Sequence, residues 1–312
     1  MEKPMVRVLL ASYNGANYIR QMIDSLLAQD YEELQIILSD DCSSDGTDAI
    51  LAEYAAAYPD KVVHYCSGQR FACAQSHFMH LLSRFSDAPY IMFCDQDDIW
   101  HSDKVRLTLE EMLRCENDTN MPVLVHTDLR VVDKELNEIS PSFCAHSGLD
   151  GSRLKLNRLL VQNVVTGCTV RINRSLAELA CHVDASRDMM MHDWWLALLA
   201  AACGKVCFLN QATIDYRQHG ANAVGAKNVY SPGYLLGRLK SGKSRQSMKD
   251  AARQAQAFLN CFGDLLDPEA KEMVEAFAST ADAPLLTRDR IYIKYGLLKN
   301  GFPRVAAQLL GL

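Results

Sequence analysis

The chain has 312 residues, 49% of them apolar, which suits one large domain or one domain with an appendage. It has no run of about 18 apolar residues, which excludes a transmembrane helix. Its eleven cysteines are scattered without a C-x-x-C pair, which argues against a disulfide framework or a cysteine zinc site and for a reducing cytoplasm. The net charge of −6 is unevenly placed. Residues 226–312 hold 13 Lys/Arg against 8 Asp/Glu, while residues 1–225 hold 19 against 30. An acidic body argues against nucleic acid as a partner. The basic tail fits either an anionic membrane surface or a solvated helical face. Met1-Glu2-Lys3-Pro4 leads straight into a strand, which leaves no room for a signal peptide.

Val6–Ala11 reads as a first strand, ending in the turn-rich Ser12-Tyr13-Asn14-Gly15-Ala16-Asn17. Tyr18–Ala28 carries Ile19, Met22, Ile23, Leu26 and Leu27 at helical spacing. Leu34–Ser39 is a second strand, running into Asp40-Asp41-Cys42-Ser43-Ser44-Asp45-Gly46-Thr47 and a helix to Tyr54–Tyr58. Lys61–Tyr65 is a third strand, Ala74–Phe85 a helix, and Pro89–Phe93 a fourth strand. This rhythm predicts a mostly parallel α/β sheet with helices on both faces, and ligands beyond the carboxyl ends of its strands. Three of the four strand ends carry polar clusters: Ser12–Asn14, Asp40–Asp45 and Asp95–Asp98.

The last cluster, Asp95-Gln96-Asp97-Asp98-Ile99-Trp100, brings three carboxylates within four positions. Residues two apart on extended chain share a face, so Asp95 and Asp97 can point into one site. A hard divalent cation holding phosphate oxygens would relieve their repulsion. The other reading is an acidic turn whose Asp98 or Ser102 caps the next helix. Further on, Val123–Val132 reads as strand, Leu154–Val161 as helix, and Asn163–Val170 as a strand whose Gly167 marks close backbone approach to a ligand. Met191-His192-Asp193-Trp194-Trp195 opens an apolar helix, Val206–Leu209 is a strand, and Asp215–Asn222 is a polar loop. From Tyr234 the chain reads as helical to its end.

Five motifs together resemble the inverting glycosyltransferases of family 2, which share the GT-A fold: Ala11–Gly15, Asp40–Thr47, Asp95–Trp100, His192-Asp193-Trp194 and Tyr216-Arg217-Gln218-His219. The forms Asp-Gln-Asp-Asp-Ile-Trp, Met-His-Asp-Trp and Tyr-Arg-Gln-His-x-x-Asn-x-x-Gly are similar to bacterial rhamnosyltransferases of cell-wall, capsular and O-antigen polysaccharides. The resemblance implies a GT-A catalytic domain over residues 1–225 and a helical extension over 226–312. It implies dTDP-β-L-rhamnose as donor, a lipid-linked saccharide acceptor, Mg²⁺ or Mn²⁺ as cofactor, and a peripheral place at the cytoplasmic face of the cell membrane. A UDP-hexose or UDP-N-acetylhexosamine donor is the alternative within the fold, and a non-catalytic nucleotide-sugar-binding scaffold is the alternative outside catalysis.

Residue by residue, the resemblance implies that Ala11 and Tyr13 lie against the nucleoside, with Asn14 beside them, and that Asp41 or its neighbour Asp40 binds the base. Asp95 lies near ribose and metal, Asp97 ligates the metal, His219 completes the metal and diphosphate site, and Arg217 reaches phosphate. Asp193 is the general base, although the same carboxylate also suits a helix cap. At least one of Trp194 and Trp195 reads as core, with packing on the acceptor sugar as the other role for one of them; Trp100 reads as loop packing and Asp45 as a turn residue. Three departures stand out. Cys42 replaces a glycine, which implies a differently shaped turn. Cys73 and His77 replace the family's asparagine-containing pattern, with Arg70 and His77 as local substitutes. The mixed basic and apolar sequences Tyr234–Lys240 and Ile291–Leu312 suit an interfacial helix or an oligomer contact.

Overall fold

A computed structural model describes residues 3–181, 189–219 and 243–311. Strands β1 (Val6–Ser12), β2 (Leu34–Asp40), β3 (Val62–Tyr65) and β4 (Tyr90–Cys94) are parallel, in the order β3-β2-β1-β4. Helices α1 (Ile19–Leu27), α2 (Thr47–Ala57) and α3 (Ala74–Phe85) make the crossovers. The register sets Ser12 opposite Asp40 and Leu10 opposite Cys94. The polar clusters that follow these strands therefore share one edge of the sheet.

The strands are apolar on both faces because both faces are covered. Val6, Val8 and Leu10 point into a core with Ile19, Met22, Ile23 and Leu26 of α1. Leu9, Ile91 and Phe93 point the other way, into a core with Phe78, Leu81 and Leu82 of α3. After β4 come the short β5 (Ile99–Trp100), α4 (Lys104–Cys115), β6 (Val123–Val132) and β7 (Glu138–Ser140). The short helices α5 (Phe143–His146) and α6 (Leu156–Leu159) precede β8 (Arg171–Asn173), α7 (Arg174–Cys181), α8 (His192–Cys203) and β9 (Lys205–Arg217). Beyond β4 the nine-stranded sheet continues β8-β6-β9-β5 and becomes mixed, with β8 antiparallel to both β4 and β6.

Four helices end the described chain: α9 (Lys243–Phe262), α10 (Pro268–Ala278), α11 (Leu285–Tyr295) and α12 (Phe302–Leu309). They join the core around α3 and α8. Met248, Ala251, Ala255 and Phe258, at helical spacing on α9, are buried there, and the Trp195 ring lies 5.5 Å from Phe258 and 5.8 Å from Phe262. Phe258→Ala is expected to cost about 3–5 kcal/mol and to lower the melting temperature of the whole chain. A catalytic unit that melted unchanged would show that these helices fold separately. The boundary expected near residue 225 and the segment Tyr234–Lys240 lie outside the described residues.

Several expectations are corrected. Residues 163–170 are not strand. The Asn163 side chain accepts from Val165 N at 2.9 Å, and Gly167–Thr169 forms a single 3-10 turn closed by Thr169 Oγ1 on Thr166 O. Asp215, Tyr216 and Arg217 belong to β9 rather than to a loop. Asp215 is tolerated there because Arg130 donates to it at 2.6 and 2.7 Å and His101 pairs with it at 2.8 Å. The helix expected over Leu154–Val161 is only Leu156–Leu159. One disulfide, Cys115–Cys207, joins the end of α4 to β9 across 92 residues of sequence, a separation that carries no spacing signal. Cys42 sits at φ 60°, so the turn keeps a left-handed residue without glycine.

Candidate active site

The loops after β1 and β2 brace each other. Ser43 donates from its backbone N and Oγ to Asp40, which also accepts from Ser12 Oγ at 3.2 Å. Asn14 N donates to Ser43 Oγ at 2.7 Å, and Ser44 N donates to Asn14 Oδ1 at 3.0 Å. Asp45 accepts from Ala16 N and from Thr47, as a turn residue does. Asn14 and Asp40 thus shape the loops, whereas Ala11, Tyr13 and Asp41 line a cavity of about 290 Å³. Asp41 accepts from the backbone N–H groups of Phe71 and Ala72, which brings the loop after β3 over the cavity.

In that loop Arg70 stands 5.0 Å from the Tyr13 ring and donates to its hydroxyl at 2.9 Å. His77 stacks on Phe71 at 4.8 Å and shares a hydrogen bond with Ser39 Oγ. Burial lowers its pKa to about 4, so it is neutral. Sequence reading gave Gln96 no role, yet it is a central brace: it accepts from Tyr13 N at 2.7 Å and donates to Tyr13 O at 3.0 Å. Glycine at position 15 leaves room for this approach: a Cβ there would stand 2.3 Å from Gln96 Oε1, and the Gln96 side chain would have to move off Tyr13.

The acidic loop follows β4 on the same edge. Asp95 and Asp97 line the cavity, while Asp98 is fully buried behind them and accepts from Arg217 N at 3.1 Å. Helix α4 begins only at Lys104, with Asp103 at its cap position, so neither Asp98 nor Ser102 caps it. Trp100 is buried beneath the loop, with Lys104 Nζ 4.7 Å from its ring. The protein packed around Asp95, together with the charges of Asp97 and Asp193, pushes its carboxyl up to about 7. Ligand atoms of Asp95, Asp98 and the buried Cys168 thiol lie within 4.8 Å of one another, and Asp97 stands apart from that group, paired with His219 Nε2 at 2.7 Å. The repulsion between the Asp95 and Asp97 carboxylates at the cavity, with the His219 imidazole beside Asp97, is what a divalent cation such as Mg²⁺ or Mn²⁺ would relieve.

Arg217 does not line the cavity. It is 3% exposed and donates to Asp97 O, Lys134 O and Gln21 Oε1 at 2.9, 2.9 and 2.7 Å. Through these bonds it holds the acidic loop against α1. Gly220, Ala221 and Asn222, the rest of its motif, lie outside the described residues.

Across the cavity, Asp193 lies in the first turn of α8, whose cap position is Met191. Its carboxylate accepts from Trp194 N at 2.6 Å and Asn163 Nδ2 at 3.2 Å, and from the Gly167 N–H. Burial nevertheless dominates and pushes its pKa up to about 7. A carboxylate that gains and loses a proton near neutrality, open to the cavity, suits a general base. Trp194 donates from Nε1 to Leu159 O at 2.6 Å, and Trp195 is fully buried, so both are core residues. His192 beside them also lines the cavity, and no spacing signal separated it from its motif.

The sheet, the helices around it and the acidic loop at its edge set one cavity beyond the carboxyl ends of the parallel strands, the architecture of a GT-A enzyme. The Glycosyl transferase family 2 model matches residues 7–178, more than half of the chain, and the chain belongs to that family. The dTDP-rhamnosyl transferase RfbG of Shigella flexneri is 25% identical over 260 residues, 80% of this chain and 84% of that protein. The putative teichuronic acid biosynthesis glycosyltransferase TuaG of Bacillus subtilis is 35% identical over 111 residues, 36% of this chain and 43% of that protein. Among solved structures, S. aureus TarS 1-349 superposes with a TM-score of 0.59 at 15% identity, over 89% of this chain and 71% of that one. The mannosyltransferase PcManGT of Pyrobaculum calidifontis, solved with GDP-Man and Mn²⁺, gives 0.56 at 17% identity, over 99% and 86%. The fold is GT-A.

Proposed function

We propose that this glycosyltransferase moves L-rhamnose from dTDP-β-L-rhamnose to a hydroxyl of a lipid-linked saccharide, inverting the anomeric centre. The observation that carries the mechanism is Asp193: a buried carboxylate with its pKa near neutrality, facing Asp95 and Asp97 across one cavity. The donor assignment is supported by the likeness to RfbG over most of both chains.

In this reading Ala11, Tyr13 and Asp41 hold the nucleoside, with Arg70 closing over Tyr13. Asp95, Asp97 and His219 hold a divalent cation, which when bound neutralises the charge that builds on the leaving diphosphate. The acceptor hydroxyl gives its proton to Asp193 while its oxygen bonds to the anomeric carbon, and the bond from that carbon to the diphosphate oxygen breaks. One base and one displacement convert a β-linked donor into an α-linked product. NMR of the product is expected to show the α anomer; a β product would contradict single displacement.

The C-terminal helices are the proposed membrane contact. Leu286, Ile293, Phe302 and Leu310 are exposed on them, among basic side chains. No helix among the described residues is long and apolar enough to cross a membrane. Vesicles containing phosphatidylglycerol are expected to bind the full chain and release it at high salt, and Leu286→Glu with Phe302→Glu is expected to abolish binding. Unchanged binding by that variant, or concentration-dependent self-association lost with it, would place an oligomer contact here instead.

A further inference from the structure

His192 is the first residue of α8 and is 2% exposed. Its ring packs 4.4 Å from Phe78 and 5.2 Å from Phe93. Neither ring nitrogen has a hydrogen-bond partner. An imidazole always presents at least one N–H, and in its neutral form one lone pair as well. Buried polar atoms are almost always satisfied, and leaving one bare costs free energy. A phenylalanine would fill this apolar niche without that cost, so packing alone does not explain a histidine.

A second observation shows where the ring points. An ideal Cβ built on Gly167 would stand 2.9 Å from His192 Nε2 and 3.6 Å from Asp193 Oδ2. Gly167, His192 and Asp193 all line the cavity. The absent side chain therefore leaves open a place bounded by the bare imidazole nitrogen on one side and the proposed base on the other. One small polar group standing over Gly167 meets both.

We propose that His192 is a positioning residue for the acceptor, its Nε2 hydrogen-bonding the same hydroxyl whose proton Asp193 takes. This rests on the function proposed above. The Nε2–H donates to one lone pair of the acceptor oxygen. The hydroxyl proton goes to Asp193 Oδ2, and a second lone pair forms the bond to the anomeric carbon as the diphosphate leaves. His192 neither gains nor loses a proton. Burial lowers its pKa to about 3, which keeps it neutral throughout.

Slow hydrolysis of the donor tests this without knowledge of the acceptor, because water then stands in the hydroxyl's place. dTDP-rhamnose with Mn²⁺ is the probe. His192→Phe, which keeps the aromatic packing, is expected to lower kcat for hydrolysis at least about tenfold, with Kd for dTDP by calorimetry within about twofold of wild type. His192→Gln, whose amide nitrogen reaches toward the Nε2 position, is expected to recover part of the loss. Gly167→Ala is expected to match the phenylalanine variant, because its methyl fills the shared place. Hydrolysis at the wild-type rate in His192→Phe would overturn the proposal. So would equal losses in His192→Phe and His192→Gln together with weakened dTDP binding, which marks a purely structural role. A wild-type enzyme that neither binds nor hydrolyses dTDP-rhamnose would instead overturn the donor reading, and the proposal with it.

Discussion

Asp193→Asn is expected to lower kcat about 10²–10⁴-fold while leaving the affinity for a dTDP-sugar nearly unchanged. Asparagine keeps the Oδ1 that accepts from Trp194 N and Asn163 Nδ2, so the helix start survives. What it removes is the group that takes the acceptor proton. The pH profile gives an independent check. The base must be ionised to act, so the wild-type rate is expected to rise with pH through a midpoint near 7, the pKa that burial gives this carboxyl. The variant is expected to lose that limb.

Stability moves the other way. The folded-state pKa of Asp193 lies above its ordinary 3.8, so the folded chain holds this proton more tightly than the unfolded one. The resulting stabilisation is fully present below pH 3.8 and is lost as pH rises through 7. Above neutrality the fold carries a buried charge that asparagine lacks. Asp193→Asn is therefore expected to melt about 3 °C or more higher than wild type at alkaline pH. A variant that turned over normally, or melted lower, would remove the base from the account.

Asp97→Asn is expected to weaken metal-supported donor binding by about 10–100-fold, the scale seen when a metal site loses a supporting group. Asp97 is the carboxylate that pairs with His219 and contributes to raising the pKa of Asp95. Removing its charge relieves that repulsion, so the metal-free variant is expected to melt at or above the wild-type temperature. Adding Mn²⁺ and dTDP is expected to raise the wild-type melting temperature and to leave the variant nearly unmoved, because a ligand stabilises only a fold that binds it. Thermal melts with and without chelator separate the two effects. Equal stabilisation of both proteins would move the cation site away from Asp97.

The first four strands were legible because strands covered on both faces are continuous apolar runs, and their polar ends mark one sheet edge. That pattern also set Asp95 and Asp97 at this edge, whereas Asp193, which lines the same cavity, was marked only by the family resemblance of its motif. The pattern does not reveal which polar group satisfies which. The family resemblance gives Arg217 a place near phosphate, and only the fold shows its guanidinium holding Asp97 O, Lys134 O and Gln21. Asn14 likewise braces the loop after β2. Asp215 looks like loop because its strand context depends on Arg130 and His101, far away in sequence. Cys42 stands at φ 60° between Asp41, which accepts from Phe71 N and Ala72 N, and Ser43, which donates to Asp40. His192 carries no periodic signal at all; its interest lies in nitrogens left without partners, which only packing exposes.

The most direct test is calorimetry of dTDP-rhamnose, UDP-glucose and UDP-N-acetylglucosamine, each with and without Mn²⁺. The expected result is tight binding of dTDP-rhamnose that needs the cation and is weakened in Asp97→Asn. Preference for a UDP-sugar would contradict the rhamnose assignment and direct attention to Arg70, Phe71 and His77 at the cavity mouth. Binding of every donor without regard to the cation would contradict the metal-assisted mechanism itself.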